Sequence, residues 1–419
     1  MQTVESPTQP RNVHVFGATS FLNDTASEMA YWMLPAFLST IGGGPATLGV
    51  IEGIAESVAA FAKLFSGIWT DRLRRRKPLV ISGYVVANVV KPLLALATSA
   101  WQVLFIRFAD RLAKGVRGAP RDVMLAESVE SNKVGAAFGL LQAMDSAGAI
   151  VGPLLAMAIM ASSFGAHFGV RAVFWAAAVP GLLCIAVVAL GLRETQHKFA
   201  PSEHKSILGS IFGPAVRLPG EFYYVLAAIG LFSIGNSSDM FLVLRAQGIG
   251  VPASHAPLLG LVFNITYTLA SWPSGKLSDR AARAHAGPSA WRYGTASAGL
   301  LVFAGVYWTF AAAPSSSVLY AAMAFYGLYY ALTQPVLKAM VVDAVPREAR
   351  GRAFGMFYFV TSVAALLASV ITGALWKEFG AALPFQVSAV LAVVAAVMLL
   401  AAPKVLRRHG LRRAPRSTA

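Results

Sequence analysis

The sequence predicts an all-α membrane protein: twelve transmembrane helices in two pseudo-symmetric six-helix bundles. Three observations lead there. The chain of 419 residues is 56% hydrophobic and only 13% charged, about half the charged share of a soluble domain. Its apolar residues come in runs of roughly the 20 residues that a helix needs to cross hydrocarbon. Elements of the first half also recur at matching places in the second.

Candidate spans begin near His14, Thr47, Leu79, Trp101, Gly135 and Val170, and then near Glu221, Ala256, Trp291, Ser315, Arg352 and Ala381. Between the two sets lies a hydrophilic stretch with Glu194, His197, Lys198, Glu203, His204 and Lys205, which reads as a solvated linker. The expected organisation is a bundle over 1–192, a cytoplasmic linker over 193–220, a second bundle over 221–403 and a basic tail over 404–419. The N-terminus, Met1-Gln-Thr-Val-Glu-Ser-Pro, lacks the basic-then-apolar layout of a cleaved signal peptide, so the first apolar segment is expected to stay as a helix.

The formal charge of +16 would suit nucleic acid if it formed one basic face, but the basic residues cluster in alternate loops. Arg72, Arg74, Arg75, Arg76 and Lys77 follow the second span, and Arg193, Lys198, Lys205 and Arg217 follow the sixth. Arg280, Arg283 and Arg292 follow the eighth, and Arg347, Arg350 and Arg352 the tenth, while the opposite loops offer only Arg171, Arg245 and Lys377. Positive charge marks the cytoplasmic side, so both termini and the linker are expected there. The expected setting is the bacterial cytoplasmic membrane, with the lipid bilayer and a small-molecule substrate as partners, no nucleic acid, and a monomeric state. One cysteine, Cys184, allows no intrachain disulfide.

The repeat is specific. Gly67-Ile-Trp-Thr-Asp71-Arg72, with Arg75 and Arg76 beyond, follows the second span; Gly275-Lys-Leu-Ser-Asp279-Arg280 follows the eighth. Val134-Gly-Ala-Ala-Phe-Gly139 opens the fifth span, and Arg350-Gly-Arg-Ala-Phe-Gly355 opens the eleventh. Two related halves are a frequent design of secondary transporters. On these residues the chain resembles the major facilitator superfamily over nearly its whole length. The family's loop motif, Gly-x-x-x-Asp-Arg followed by Gly-Arg-Arg/Lys, is matched except that Arg74 stands at its second glycine. The family's fourth-span motif appears as Arg111-Leu-Ala-Lys-Gly115. Its antiporter motif appears in part, as Gly148-Ala-Ile-Val-Gly152-Pro153, with Ala156 and Met157 at the last two glycine positions.

The resemblance implies a conformational latch at Gly67, Asp71, Arg72, Arg75, Arg76, Gly275, Asp279 and Arg280. Electrostatics agrees, because a carboxylate after a helix C-terminus needs facing cations. Gly148, Gly152 and Pro153 form a small-residue face before a proline, readable as a hinge, a seal or plain packing.

Ionisable groups at bilayer depth cost roughly 3 kcal/mol or more each, and they usually face a cavity or a partner. The first half carries Asn23, Asp24 and Glu28; Glu52, Glu56 and Lys63; Lys91; Arg107, Asp110, Arg111, Lys114, Arg117 and Arg121; and Gln142 and Asp145. Arg107, Arg111, Lys114 and Arg121 make one cationic stripe, and Asp110 is expected to pair along its own helix with Arg107 or Lys114. The second half is nearly uncharged. It offers Asn236, Asp239, Asn264 and Tyr267, then Tyr326, Tyr329, Tyr330, Gln334 and Lys338. The substrate and proton pathway is expected to use Asn23, Asp24, Glu28, Glu56, Lys91, Arg107, Asp110, Arg111, Lys114, Gln142, Asp145, Asn236, Asp239, Asn264, Tyr330 and Gln334, with at least one carboxylate exchanging a proton.

No nucleotide-binding loop occurs, since Gly275-Lys276 is followed by leucine; the histidines lack metal-ligand spacing, and no catalytic triad has support. The expectation is therefore no enzyme activity, no metal and no cofactor beyond a proton gradient. Transport is expected as proton-coupled export of a small organic molecule, or alternatively as proton-coupled import of an organic anion; a ligand sensor is the third reading.

Overall fold

Proline starts many of these helices, because its missing N–H and fixed φ suit a first turn. The computed structural model describes residues 9–72, 75–129, 134–195, 218–284, 289–313, 315–345 and 350–408. In the first part lie α1 (Pro10–Tyr31), α2 (Leu34–Thr40), α3 (Pro45–Arg72), α4 (Lys77–Val90), α5 (Ala100–Glu127), α6 (Val134–Ala161), α7 (Ser163–Phe168), α8 (Val170–Ala176) and α9 (Ala178–Gly191). Then come α10 (Gly220–Gly235), α11 (Met240–Gly248), α12 (Ala256–Ala284), α13 (Ser289–Ala312), α14 (Ser316–Asp343), α15 (Arg350–Phe379) and α16 (Ala382–Arg408). Among the described residues there is no strand.

Local chemistry sets the breaks. Pro92, directly after Lys91, turns the end of α4 into a 3-10 segment, Pro92–Leu96. A capping box opens α5, where Gln102 accepts the backbone N–H of Ser99 at 3.2 Å. The chain reverses between α7 and α8 at Gly169, whose φ of +58° a side chain would strain. The last helix runs on to Arg408, so the basic residues Lys404 and Arg407 are helical rather than part of a separate tail. The expected linker falls almost wholly outside the described residues.

Among the described residues, eight stretches are long and apolar enough to cross a membrane: 45–63, 77–96, 140–161, 170–191, 220–248, 291–312, 355–379 and 382–406. Four further helices have spanning length, α1 with 22 residues, α5 with 28, α12 with 29 and α14 with 28, but are more polar. That polarity is informative, since α5 holds three buried charged side chains, Arg107, Asp110 and Arg117, and α1 carries the half-buried Asp24 and Glu28. Large apolar side chains stand bare on the outside, Leu190 at 84% exposure and Trp101 at 70% among them, as lipid permits and water does not.

The chain divides into two compact units, 1–203 with 251–261, and 204–250 with 262–419. In the first, α1 packs on α6 and α9, and α4 packs on α5 and α9. In the second, α10 packs on α15 and α16, and α13 packs on α14 and α16. Counting spans from each unit's start, these pairings are the same, so the repeat in the sequence is also a repeat of packing.

Candidate functional site

The cationic face of α5 meets carboxylates from α3. Arg107 donates through Nε and Nη2 to the two carboxylate oxygens of Glu52, both at 2.9 Å, a bidentate pair with side chains 8% and 0% exposed. One turn on, Arg111 reaches Glu56 at 3.2 Å, and there Glu56 is 43% exposed. Both guanidinium groups lie over the ring of Tyr31, at 5.7 and 6.0 Å. Asp110 contacts Arg107 at 3.7 Å, as its spacing predicts, but its other partner is Lys91, the residue that caps the end of α4, at 3.6 Å rather than Lys114. Lys91 in turn donates to Asn88 Oδ1 at 3.3 Å and Asn23 Oδ1 at 3.5 Å. Lys91, Arg107 and Asp110 are therefore members of a buried lattice.

In front of that lattice is a cavity of about 340 Å³. Asn23, Asp24, Glu56, Lys63, Lys114, Arg117, Arg121, Asp122 and Asp145 give it a polar wall with four acids and four bases, and Gly115 and Gly118 lie between them. Several of these groups are already engaged. Arg121 pairs with Asp122 at 2.9 Å, and Arg117 lies over Tyr84 at 4.3 Å while donating to the carbonyl of Gly83 at 3.3 Å. Asp24, Asp145 and Lys114 have no ion pair among the described residues, and Oδ1 of Asp145 is buried without a hydrogen bond. Glu28, one turn beyond Asp24, accepts the indole N–H of Trp32 at 2.7 Å. Gln142, expected on the pathway, is exposed and is not part of the cavity wall. Asn88, Tyr31, Trp32 and Asp122 were not anticipated. Asn88 was the most findable, lying on α4 three residues before Lys91, which caps that helix.

Three glycines make this arrangement possible. A Cβ on Gly115 would sit 2.5 Å from the carbonyl oxygen of Ala59, so Gly115 lets α5 lie directly on α3. A Cβ on Gly148 would sit 2.5 Å from the carbonyl of Phe21, and one on Gly152 would sit 2.7 Å from that of Thr25. The α1–α6 crossing thus carries Asp24 and Glu28 up to the helix that bears Asp145. α6 runs unbroken through Pro153.

The second unit has a different chemistry. Its first span is unwound from Asn236 to Asp239. Tyr326 donates to Oδ1 of Asp239 at 2.6 Å, and Tyr330 to Oδ2 at 3.5 Å. Tyr329 is buried and its hydroxyl accepts from Asn236 at 3.5 Å. Tyr326 is buried too, so of these three α14 tyrosines only Tyr330 shows a partly open face; Tyr267, Asp239 and Gln334 are also half-buried, and Asn264 is buried.

Of the latch residues, Arg75 is exposed and Arg76 is buried. Arg76 pairs with Glu127 at 2.6 Å, Thr195 donates to the other oxygen of Glu127 at 2.6 Å, and Glu194 accepts the backbone N–H groups of Arg76 and Lys77 at 3.0 and 3.2 Å. This clasp ties the α3–α4 turn to the ends of α5 and α9. Helices pass through Gly67, Asp71, Arg72, Gly275, Asp279 and Arg280, whose side chains lie outside the described residues. Among the described residues no group of three His, Cys, Asp or Glu side chains could hold a metal ion.

The comparisons with known proteins agree with this architecture. An uncharacterized MFS-type transporter of Methanocaldococcus jannaschii is 32% identical over 401 residues, covering 93% of this chain and 94% of its own length. Multidrug resistance protein MdtG of Escherichia fergusonii is 28% identical over 282 residues, covering 64% of this chain and 66% of its own length. Among solved structures, a bacterial homologue of the human lysosomal transporter Spinster, inward-facing and unoccupied, superposes with a TM-score of 0.78 at 15% identity, covering 97% of this chain and 99% of that one. A POT family transporter in complex with 5-aminolevulinic acid gives a TM-score of 0.76 at 13% identity, covering 96% and 100%. At those identities the two structures speak for the fold. The Major Facilitator Superfamily profile matches residues 16–308 and 290–418; with the duplicated bundles and the relative that aligns over more than nine-tenths of both chains, it makes this chain a member of that superfamily.

Proposed function

We propose that the chain is a proton-coupled exporter of a small organic molecule, crossing the bacterial cytoplasmic membrane twelve times as a monomer with both termini inside. The observation that supports this best is the division of labour among the first unit's charges. Arg107 and Arg111, the groups an imported organic anion would need, already hold Glu52 and Glu56. Asp24, Glu28 and Asp145 have no fixed cation among the described residues. A proton or a cargo can neutralise such carboxylates, and a neutral cavity costs less to carry through a closed state than a charged one. Alternating occupancy by proton and cargo then couples the two fluxes. The partial antiporter motif and the multidrug relative favour export over import.

Inside-out vesicles containing the chain, acidified within and loaded with a pH-sensitive dye, test this. Adding a transported compound from a panel of organic amines and drugs is expected to release protons from the vesicle. The double variant D24N/D145N is expected to lower that release by about tenfold or more, equal to at least about 1.4 kcal/mol of coupling. Undiminished release from the double variant, or release driven by organic anions alone, would refute the proposal.

A further inference from the structure

Two packed helix pairs bound the cavity of the first unit, and they bring unmatched charges of opposite sign to it. α1 packs on α6 and contributes Asp24 and Asp145, while α3 packs on α5 and contributes Lys114. Other charges on the α3–α5 side are spoken for: Glu56 by Arg111 at 3.2 Å, and Asp122 by Arg121 at 2.9 Å. Lys114 is exposed to the cavity, and neither it nor Asp24 nor Asp145 has an ion pair among the described residues. Asp24 accepts only the amide N–H of its neighbour Asn23, at 3.0 Å, and Oδ1 of Asp145 is buried without a hydrogen bond. The close approach of α1 to α6 at Gly148 and Gly152 keeps both carboxylates on their own wall. Ala59, Ala60, Gly115 and Gly118 line the same space with little side-chain bulk.

We infer that this cavity takes a compact organic zwitterion, its ammonium held at Asp24 and Asp145 and its anionic end at Lys114. Opposite charges that line one cavity without meeting are completed by a ligand that carries the complementary pair, each end charge-matched as water leaves. A cargo with an ammonium alone leaves Lys114 dehydrated and unmatched. A cargo with a carboxylate alone meets two carboxylates of the same sign. Discrimination therefore comes from the groups that the wrong ligand leaves unpaired as much as from those the right one satisfies. The volume of about 340 Å³ is near the lower end of ligand pockets, about 300–1,000 Å³, and the small wall residues favour a slender body over a ring system. Lys114 thus sets specificity, whereas the two carboxylates serve both cargo and proton. The inference rests on the exporter reading for its direction and adds the class of cargo; the binding test needs no gradient, so the two can fail separately.

The probes are ω-amino acids of graded length, from β-alanine to ε-aminocaproate, with the alkylamine and the alkanoate of each length as one-ended counterparts. Binding is measured by titration calorimetry on the purified full chain in detergent. Wild type is expected to bind the best-fitting ω-amino acid at least about tenfold more tightly than either counterpart. K114Q is expected to abolish that preference by weakening the zwitterion while leaving the amine bound as well as before or better, a change that a loss of fold cannot produce. K114R should keep the preference, and D24N/D145N should weaken zwitterion and amine alike by about tenfold or more. Equal binding of the amine by wild type, an unchanged preference in K114Q, or no binding of any ω-amino acid by wild type each overturns the inference. Vesicles that exchanged protons for simple amines alone would leave the exporter reading standing without it; zwitterion binding without proton exchange would do the reverse.

Discussion

Alanine in place of Glu52 is expected to destabilise the first unit by about 3–5 kcal/mol, because it leaves the Arg107 guanidinium buried and unmatched. Glu52 is fully enclosed and meets Arg107 with two bonds of 2.9 Å. Asp110, at 3.7 Å, cannot take over the role, since Lys91 already claims it at 3.6 Å. R107A is expected to cost about as much, while the paired change E52L/R107M should recover most of the loss, because removing both charges also removes their dehydration. Heating the detergent-solubilised variants and following the surviving monodisperse fraction gives the comparison. The neighbouring pair provides an internal control. Glu56 is 43% exposed, so E56A is expected to change stability by no more than about 1 kcal/mol and to be felt mainly in transport. If E52A melted with wild type, Arg107 would have no need of its partner and would return to the ranks of ligand-binding groups.

Much of this protein was legible from one-dimensional pattern, and the parts that were not share a cause. Hydropathy and the recurring motifs foretold a duplicated all-helical membrane protein. The same criterion, applied strictly, passes over α1 and α5, because a helix that lines a polar cavity must be less apolar than one facing lipid on all sides. Depth alone marked Asp24, Glu28, Lys114 and Asp145 as exceptional. Spacing could say that Asp110 shares a face with Arg107 and Lys114, but it could not say that α4 would bring Lys91 to the same carboxylate. Nor could it pair Glu52 with Arg107 across two helices. Tyr326, Tyr329 and Tyr330 posed the corresponding problem. Their spacing shows neighbouring positions on α14, yet which rings are enclosed and which one opens outward depends on how α12 and α13 lie against them.

Gly148 and Gly152 offer the second large effect, and they separate a packing role from a hinge. A Cβ on Gly148 would also meet Cβ of Asp24 at 3.1 Å, and one on Gly152 would meet Cβ of Glu28 at 2.8 Å. The nearer obstacle in each case is a backbone carbonyl of α1, which cannot rotate aside as a side chain can. Valine at either position is therefore expected to force α1 away from α6 and to abolish proton-coupled flux, with a stability loss of about 1–3 kcal/mol. Alanine should give a smaller loss in the same direction. A hinge would place the sensitivity elsewhere, at Pro153. α6 is continuous there, so P153A is expected to keep most of the wild-type flux. Measuring the three variants side by side in the acid-loaded vesicles, with melting recorded on the same preparations, distinguishes the alternatives. Flux lost in P153A but kept in G152V would mean that bending of α6, not the closeness of α1, is what these residues provide. The expected order, with both glycines sensitive and the proline tolerant, would mean that they hold Asp24 and Glu28 at the distance from Asp145 on which neutralisation by a proton depends.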